Sequence, residues 1–296
     1  MKKALIIYNP TSGNHKFPQQ IDSVVESCHR HGYLPTLYRI CPHLDYDRVF
    51  DAIGKYQVLL VSGGDGSVSR AVNRLMQSDA DLPMGIIPAG TANDFATALG
   101  LEKHPGMAVD KLLGGGVAKV DIGRINDRYF INVASAGVLT TISQEVNNAI
   151  KSRLGVTGYY LKGLEHLWQA KPMPVKMEGD GFSIDQEVML FLVLNSSTAG
   201  SIRNVSPKAA ITDGLLDVII LKKCTPAQLV PLLLQAYEGR GAHLNSPLVE
   251  YYQTSRLRVS SEEDIKTDID GEPGPKMPLD IEVLPGRLKL LIPTVG

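Results

Sequence analysis

The residues of this chain that could do chemistry lie in glycine-bearing loops. Ser62-Gly63-Gly64-Asp65-Gly66-Ser67 follows the apolar run Val58 to Val61 and precedes a periodic segment, Val68, Val72, Leu75 and Met76. A short apolar run stopped by a glycine turn predicts a buried parallel strand. The spacing after the turn predicts a helix, with Ser67 as a candidate N-cap. Such a junction bares backbone N–H groups and the positive end of a helix dipole, which suits phosphate. Asp65 stands out there, because a carboxylate repels phosphate unless it holds a metal ion or meets a substrate hydroxyl. Gly-Asp-Gly is also common turn chemistry, and the residues alone leave both readings open. A second loop of this kind, Ala89-Gly90-Thr91-Ala92-Asn93-Asp94-Phe95, follows the short strand Pro83 to Pro88. Its Asp94 suits a metal network or a helix cap. A third, Asn9-Pro10-Thr11-Ser12-Gly13, follows Ala4 to Tyr8 and lacks the lysine of a P-loop. Asp270-Gly271-Glu272 sets two carboxylates close together on one loop, as a general base or as a surface turn. Thr212-Asp213-Gly214 adds an acidic residue at what reads as a hairpin turn.

The elements that must position these loops change character along the chain. Through about residue 122 strands alternate with helices: Ile21, Val24, Val25 and Cys28 mark a helix, Leu34 to Ile40 a strand, Asp47 to Ile53 a helix. In doubly wound sheets ligands sit at the carboxyl ends of strands, so three such loops predict one nucleotide-sized crevice. After Gly114-Gly115-Gly116 short strands dominate: Val117 to Ile122, Arg128 to Val133, Val175 to Met177, Val188 to Leu194, Leu216 to Leu221, Arg256 to Ser260, Leu279 to Val283 and Arg287 to Ile292. That spacing predicts a mostly antiparallel β-sandwich. Helices at about Tyr159 to Gln169 and Pro226 to Tyr237 interrupt it, and the aromatic stripe of the first reads as core. The fold class is therefore α/β: an N-terminal doubly wound α/β nucleotide-binding domain, residues 1–122, and a C-terminal β-sandwich domain, residues 123–296. The last strand is expected to pack back on the first domain.

Composition narrows the partners. A net charge of -1 over 296 residues excludes a broad basic surface and argues against nucleic acid. Cys28, Cys41 and Cys224 have no metal spacing and read as reduced thiols of a cytoplasmic protein. The N-terminus reads as lacking a signal peptide, and no apolar run approaches the ~18 residues of a membrane span. Contact with a membrane would be peripheral.

Taken in order, these motifs resemble the diacylglycerol kinase catalytic-domain family, in particular its soluble bacterial lipid kinases, and more distantly sphingosine and NAD kinases. The resemblance rests on YNPTSG at Tyr8 to Gly13, VSGGDGS before a helix, and GIIPAGTANDFA at Gly85 to Ala96. It continues in VDIGRINDRYFINVASAG at Val120 to Gly137, SPKAAITDGLLDVIIL at Ser206 to Leu221 and TDIDGEPG at Thr267 to Gly274. It implies ATP- and Mg²⁺-dependent phosphorylation of a lipid hydroxyl in phospholipid metabolism, with ATP on the first domain, lipid on the second and chemistry in the cleft. By similarity Asn9, Gly63, Gly64, Asp65, Gly66, Ser67, Val68, Ser69, Thr91, Asn93 and Asp94 lie on the nucleotide side. Asp65 and Asp94 are expected in a catalytic Mg²⁺–water network. Glu272 is favoured as the base, with Asp270 close behind. A structural Mg²⁺ is expected on Asp213 with the carbonyls of Ala210 and Leu215.

The chain departs from the family's Thr-x-Asn-Glu after GGDG, carrying Ser67-Val68-Ser69-Arg70. A cation on the first helix turns opposes the dipole unless it faces phosphate or a carboxylate, so Arg70 is expected to find one. The threonine usual at the end of the second strand is replaced by Arg39 or Ile40. The leading function is a cytoplasmic lipid kinase acting at the membrane surface on diacylglycerol or a relative. The alternatives are a kinase of a soluble hydroxyl such as NAD, and a non-catalytic nucleotide- or lipid-binding protein. Oligomeric state is open, with a homodimer among the options.

Overall fold

The structure, a computed structural model, describes residues 1–12, 17–41, 46–78, 80–90, 93, 95–96, 99–101, 104–138, 171–199, 202 and 204–293. The expected helix at 159–169, Thr91 and Asp94 lie outside the described residues. The chain divides into two compact units, Met1–Ile122 with Pro285–Gly296, and Gly123–Leu284.

The first unit is a parallel sheet. β1 (Lys2–Tyr8) pairs with β2 (Tyr33–Arg39) on one side and β3 (Val58–Gly63) on the other, and β3 pairs with β4 (Met84–Pro88). Ala4 to Ile7 and Val58 to Val61 are fully buried, the mark of strands covered on both faces. On one face Ala4, Ile6, Val58 and Leu60 meet Val24 and Cys28 of α1 (Ile21–Arg30). Val109 and Leu112 of a further helix, Pro105–Leu113, join them there. That helix was not expected from the sequence. A single helical turn, α2 (Arg48–Asp51), follows β2 and is shorter than the seven-residue helix expected there. α3 (Asp65–Gln77) follows β3, and Pro105–Leu113 is α4.

Among the described residues, the strand pairings within the second unit are antiparallel. β9 (Phe182–Leu194) organises it: its first half pairs with β8 (Met173–Gly179), its second with β7 (Val133–Gly137) and β10 (Leu216–Lys222). The sequence shows why. From Phe182 to Glu187 exposed residues alternate with buried or half-buried ones, whereas Val188 to Leu194 is buried at every residue. Phe191, Val193, Val218 and Ile220 point into the sandwich core. Leu190, Leu192, Ile219 and Leu221, one residue out of phase, form an outer layer with Leu229 and Leu232 of α5 (Pro226–Tyr237). α5 starts at a capping box, with Thr225 N–H donating to Gln228 Oε1 at 2.9 Å.

Several boundaries differ from expectation. Arg128 to Val133 is not one strand: β6 (Arg128–Phe130) ends and β7 begins only at Val133. The break at Ile131 and Asn132 exists because their N–H groups bond to a side chain, Asp270, instead of a neighbouring strand. The two last expected strands are one, β15 (Leu279–Ile292), which runs through Pro285-Gly286 and whose Leu290 pairs with Met84 of β4. β11 (Val249–Thr254) was missed, since its sequence, VEYYQT, carries little apolar signal. β5 (Gly116–Ile125), β12 (Arg256–Ser260), β13 (Thr267–Ile269) and β14 (Glu272–Pro273) complete the set.

Candidate active site

In the first unit three strand-end loops meet. α3 begins at Asp65, earlier than an N-cap at Ser67 would put it, because Gly64 is extended and its carbonyl accepts Ser67 N–H at 2.9 Å. Asp65 is thus in the first helical turn, where the dipole stabilises its charge. Its Oδ2 accepts the backbone N–H of Asn93 at 3.0 Å. Asn93 sits at φ 52, a conformation asparagine tolerates. Its side chain holds Gly90 from both sides: Oδ1 accepts Gly90 N–H and Nδ2 donates to Gly90 carbonyl, each at 2.7 Å. The loops after β3 and β4 therefore touch backbone to backbone. A Cβ on Gly90 would fall 2.4 Å from Gly64 Cα. The β1 loop joins through Asn9, whose Nδ2 donates to Ser67 Oγ at 3.4 Å and whose Oδ1 accepts Thr11 N–H at 3.0 Å. A Cβ on Gly63 would collide with Ser67 at 2.4 Å. Val68 and Ser69 are buried in the helix, so only their backbone could meet a ligand.

These residues fit a nucleotide's phosphates. Backbone crowds backbone around a helix N-terminus, and Ser62 Oγ is fully buried with no hydrogen-bond partner among the described residues. They also fit Mg²⁺, which needs few protein ligands when phosphates and water complete its shell. Among the described residues no three His, Cys, Asp or Glu side chains gather to hold a metal alone.

Arg70 has the carboxylate its position requires. Its guanidinium lies 4.1 Å from the Tyr46 ring centroid and 3.8 Å from Asp47 Oδ1, while Arg74 bonds the other oxygen of Asp47. Asp47, just before α2, therefore offsets a charge that would oppose the α3 dipole.

In the second unit the D-G-E loop separates its two acids. Asp270, at φ 51, turns its buried carboxylate inward. Oδ1 accepts the N–H groups of Asn132 and Val133 at 2.9 and 3.0 Å, and Oδ2 that of Ile131 at 2.9 Å. With both oxygens engaged, Asp270 is a positioning group that ties the β6–β7 break to the loop. Asp268 Oδ1 accepts Gly271 N–H at 2.8 Å and shapes the same turn. Glu272 opens β14 with its side chain exposed.

The 204–215 stretch is not a hairpin. β10 finds its antiparallel partners in β9 and β11, and the residues before it form turns. Asp213 is exposed, with Oδ1 accepting Leu215 N–H at 3.0 Å. Four residues on, Asp217 is 1% exposed; its Oδ1 accepts Ser206 Oγ at 2.9 Å and the Tyr251 hydroxyl. Its Oδ2 has no hydrogen-bond partner among the described residues. Burial, the largest influence, raises the Asp217 carboxyl above the usual range, and nearby Asp213 pushes the same way. The sequence showed Asp217 only as a strand residue, and nothing short of its buried neighbours marks it out.

A parallel α/β unit with joined glycine loops and a separate β-sandwich define a phosphotransferase of the kinase type. Residues 3–125 match the diacylglycerol kinase catalytic domain, and residues 132–292 match the YegS C-terminal NAD kinase beta sandwich-like domain. A diacylglycerol kinase of Bacillus subtilis (strain 168) is 34% identical over 99% of this chain and 97% of its own. One from Staphylococcus aureus (strain MRSA252) is 33% identical over 99% and 93%. A solved structure from Bacillus anthracis str. Sterne superposes with a TM-score of 0.82 at 26% identity, over 98% of this chain and 97% of that one. The chain belongs to the diacylglycerol kinase family, in its bacterial branch. No described helix is long and apolar enough to cross a membrane.

Proposed function

We propose that the protein transfers the γ-phosphoryl group of ATP to the hydroxyl of diacylglycerol or a close relative at a membrane surface. One observation carries this reading: the Asp65–Asn93 and Gly64–Gly90 contacts weld two loops into a phosphate cradle, in a chain that matches diacylglycerol kinases over nearly its whole length. Backbone N–H groups of residues 63–69, with Asn9, receive the phosphates; Thr91 and Asp94 are proposed to extend that set. Asp65 is proposed to hold Mg²⁺, which would supply neutralisation of phosphate charge. Glu272 accepts the proton of the attacking lipid hydroxyl while the bond to ADP breaks and the new P–O bond forms. Asp270 keeps its loop in shape. Asp213, with the carbonyls of Ala210 and Leu215, holds a second, architectural Mg²⁺.

The test supplies γ-labelled ATP and an extracted lipid mixture, with NAD as a competing acceptor. Label in phosphatidic acid supports the proposal. Label on NAD would favour the soluble-substrate reading, which the NAD kinase-like description of the sandwich motivates. Label in no acceptor would leave a binding protein.

A further inference from the structure

We infer that Arg70, seated on the Tyr46 ring, is the platform on which the purine base of the nucleotide stacks; the inference rests on the kinase reading above. Every residue concerned belongs to the first unit. Ala4 and Ile6 face α1, so Ile7 and Asn9, which alternate with them along the strand, face the other side. There Asn9 meets Ser67 of α3, and Ser67 crowds Gly63. Beyond Asn9 the next strand end is that of β2, the edge of the sheet. Tyr38 stands there, one residue from the end of β2 and opposite Ile7. Its ring meets that of Tyr46 edge-on, 6.4 Å between centroids, and Phe50 packs on Tyr46 at 5.5 Å. Tyr46 is 3% exposed, and the Arg70 guanidinium lies over its ring at 4.1 Å. Residues three apart share a helix face, so Arg70 follows Ser67 along the side of α3 that Asn9 touches. At 1.5 Å rise per residue it lies about 7.5 Å along the axis from Asp65, and a helical side chain leans back toward the N-terminus. That is room for the sugar that joins phosphate to base.

The chemistry left to Arg70 suits a base better than a phosphate. Its charge is already met, since Asp47 Oδ1 lies 3.8 Å away and the ring lies beneath. Its plane is still available. The side chain is 54% exposed, so the face of the guanidinium turned from Tyr46 looks to solvent. A guanidinium is planar, delocalised and weakly hydrated, and it stacks on aromatic faces. Asp47, itself held by Arg74, ties this one in place. Less freedom is then lost when a base settles on it. A lysine would supply the charge here but no plane.

Calorimetric titration of the full chain with ATP and with inorganic tripolyphosphate, each with Mg²⁺, separates base from phosphate. Arg70→Ala should weaken ATP binding by about 5- to 150-fold, the span for losing one stacking partner of a base. Arg70→Lys should weaken it too, and tripolyphosphate should bind both variants as it binds wild type. Both should fold, because Arg70 is exposed and Arg74 still pairs with Asp47. Equal losses for ATP and tripolyphosphate would make Arg70 a phosphate ligand and overturn the inference. So would unchanged ATP binding in Arg70→Ala, or full affinity in Arg70→Lys, since charge alone would then serve. A wild type that binds ATP no more tightly than tripolyphosphate overturns it as well. Failure of the lipid-kinase reading looks different: ATP bound with the losses above, and no label passed to any lipid, would remove the lipid acceptor and leave the platform.

Discussion

The carboxylates of the D-G-E loop should separate cleanly by mutation. Asp270 accepts three backbone N–H groups, two on Oδ1 and one on Oδ2. Asp270→Asn can keep its amide oxygen on Asn132 and Val133, but then turns an NH₂ toward the N–H of Ile131. One buried donor is orphaned and faces another donor, a loss of about 1–3 kcal/mol. Asparagine tolerates the φ of 51 at this position, so no backbone penalty adds to it. Asp270→Ala strips all three bonds, roughly 3–9 kcal/mol, and puts a residue poorly suited to left-handed backbone there. Against a total stability of about 5–15 kcal/mol, that variant should lose a large share of its stability and melt well below Asp270→Asn. Glu272 is exposed and opens a two-residue strand. Glu272→Gln should leave the melting temperature within about 1 °C, as surface changes of under ~0.5 kcal/mol do. Its turnover should fall by ~10² to 10⁴, the span for a lost general base. Thermal melts and initial rates with saturating ATP give both numbers, with Asp270→Asn melting lower by roughly 2–4 °C per kcal/mol. If Asp270→Asn melts like wild type while turnover collapses, and Glu272→Gln barely matters, Asp270 is the base and the reasoning from its hydrogen bonds is wrong.

Asp65→Asn should cut turnover by orders of magnitude with little change in melting temperature, because an amide oxygen still accepts Asn93 N–H; near-normal turnover would refute its metal role. Asp213→Ala should shrink the stabilisation that Mg²⁺ gives in melts without nucleotide, whereas Asp65→Asn should not; a full Mg²⁺ effect in Asp213→Ala would move the ion elsewhere. Gly90→Ala should weaken ATP binding at least about tenfold in calorimetric titration, since its Cβ would fall 2.4 Å from Gly64 Cα and part the two loops. His243, buried with one ring nitrogen on the Val205 carbonyl at 2.9 Å, has its pKa lowered from 6.5, mainly by burial. The unfolded chain then binds more protons as pH drops, so stability is complete above about pH 6.5 and declines below it toward the lowered folded value. Melts across that range should show the decline in wild type and less of it in His243→Gln; identical slopes would assign the acid sensitivity to other groups.

What was legible in the sequence was whatever depends on local pattern. Buried parallel strands announce themselves as unbroken apolar runs, and Val58 to Val61 before GGDG could be little else. The α5 boundaries were legible because a capping box and a proline mark the start. The loops after β3 and β4 were legible because glycine appears where backbone must approach backbone. Tertiary structure decided everything that depends on which distant groups meet. Whether Asp270 or Glu272 is free to move a proton turns on Ile131, Asn132 and Val133, more than 130 residues earlier, whose N–H groups occupy one carboxylate and break a strand in doing so. The charge of Arg70 meets Asp47 and the Tyr46 ring, partners that only the packing of α3 against the segment before α2 supplies. Asp217 reads as one strand residue among several, yet Ser206 and Tyr251 enclose it. Periodicity reports which side of an element is apolar, and the partners of a polar atom are fixed by the packing of elements that are remote along the chain.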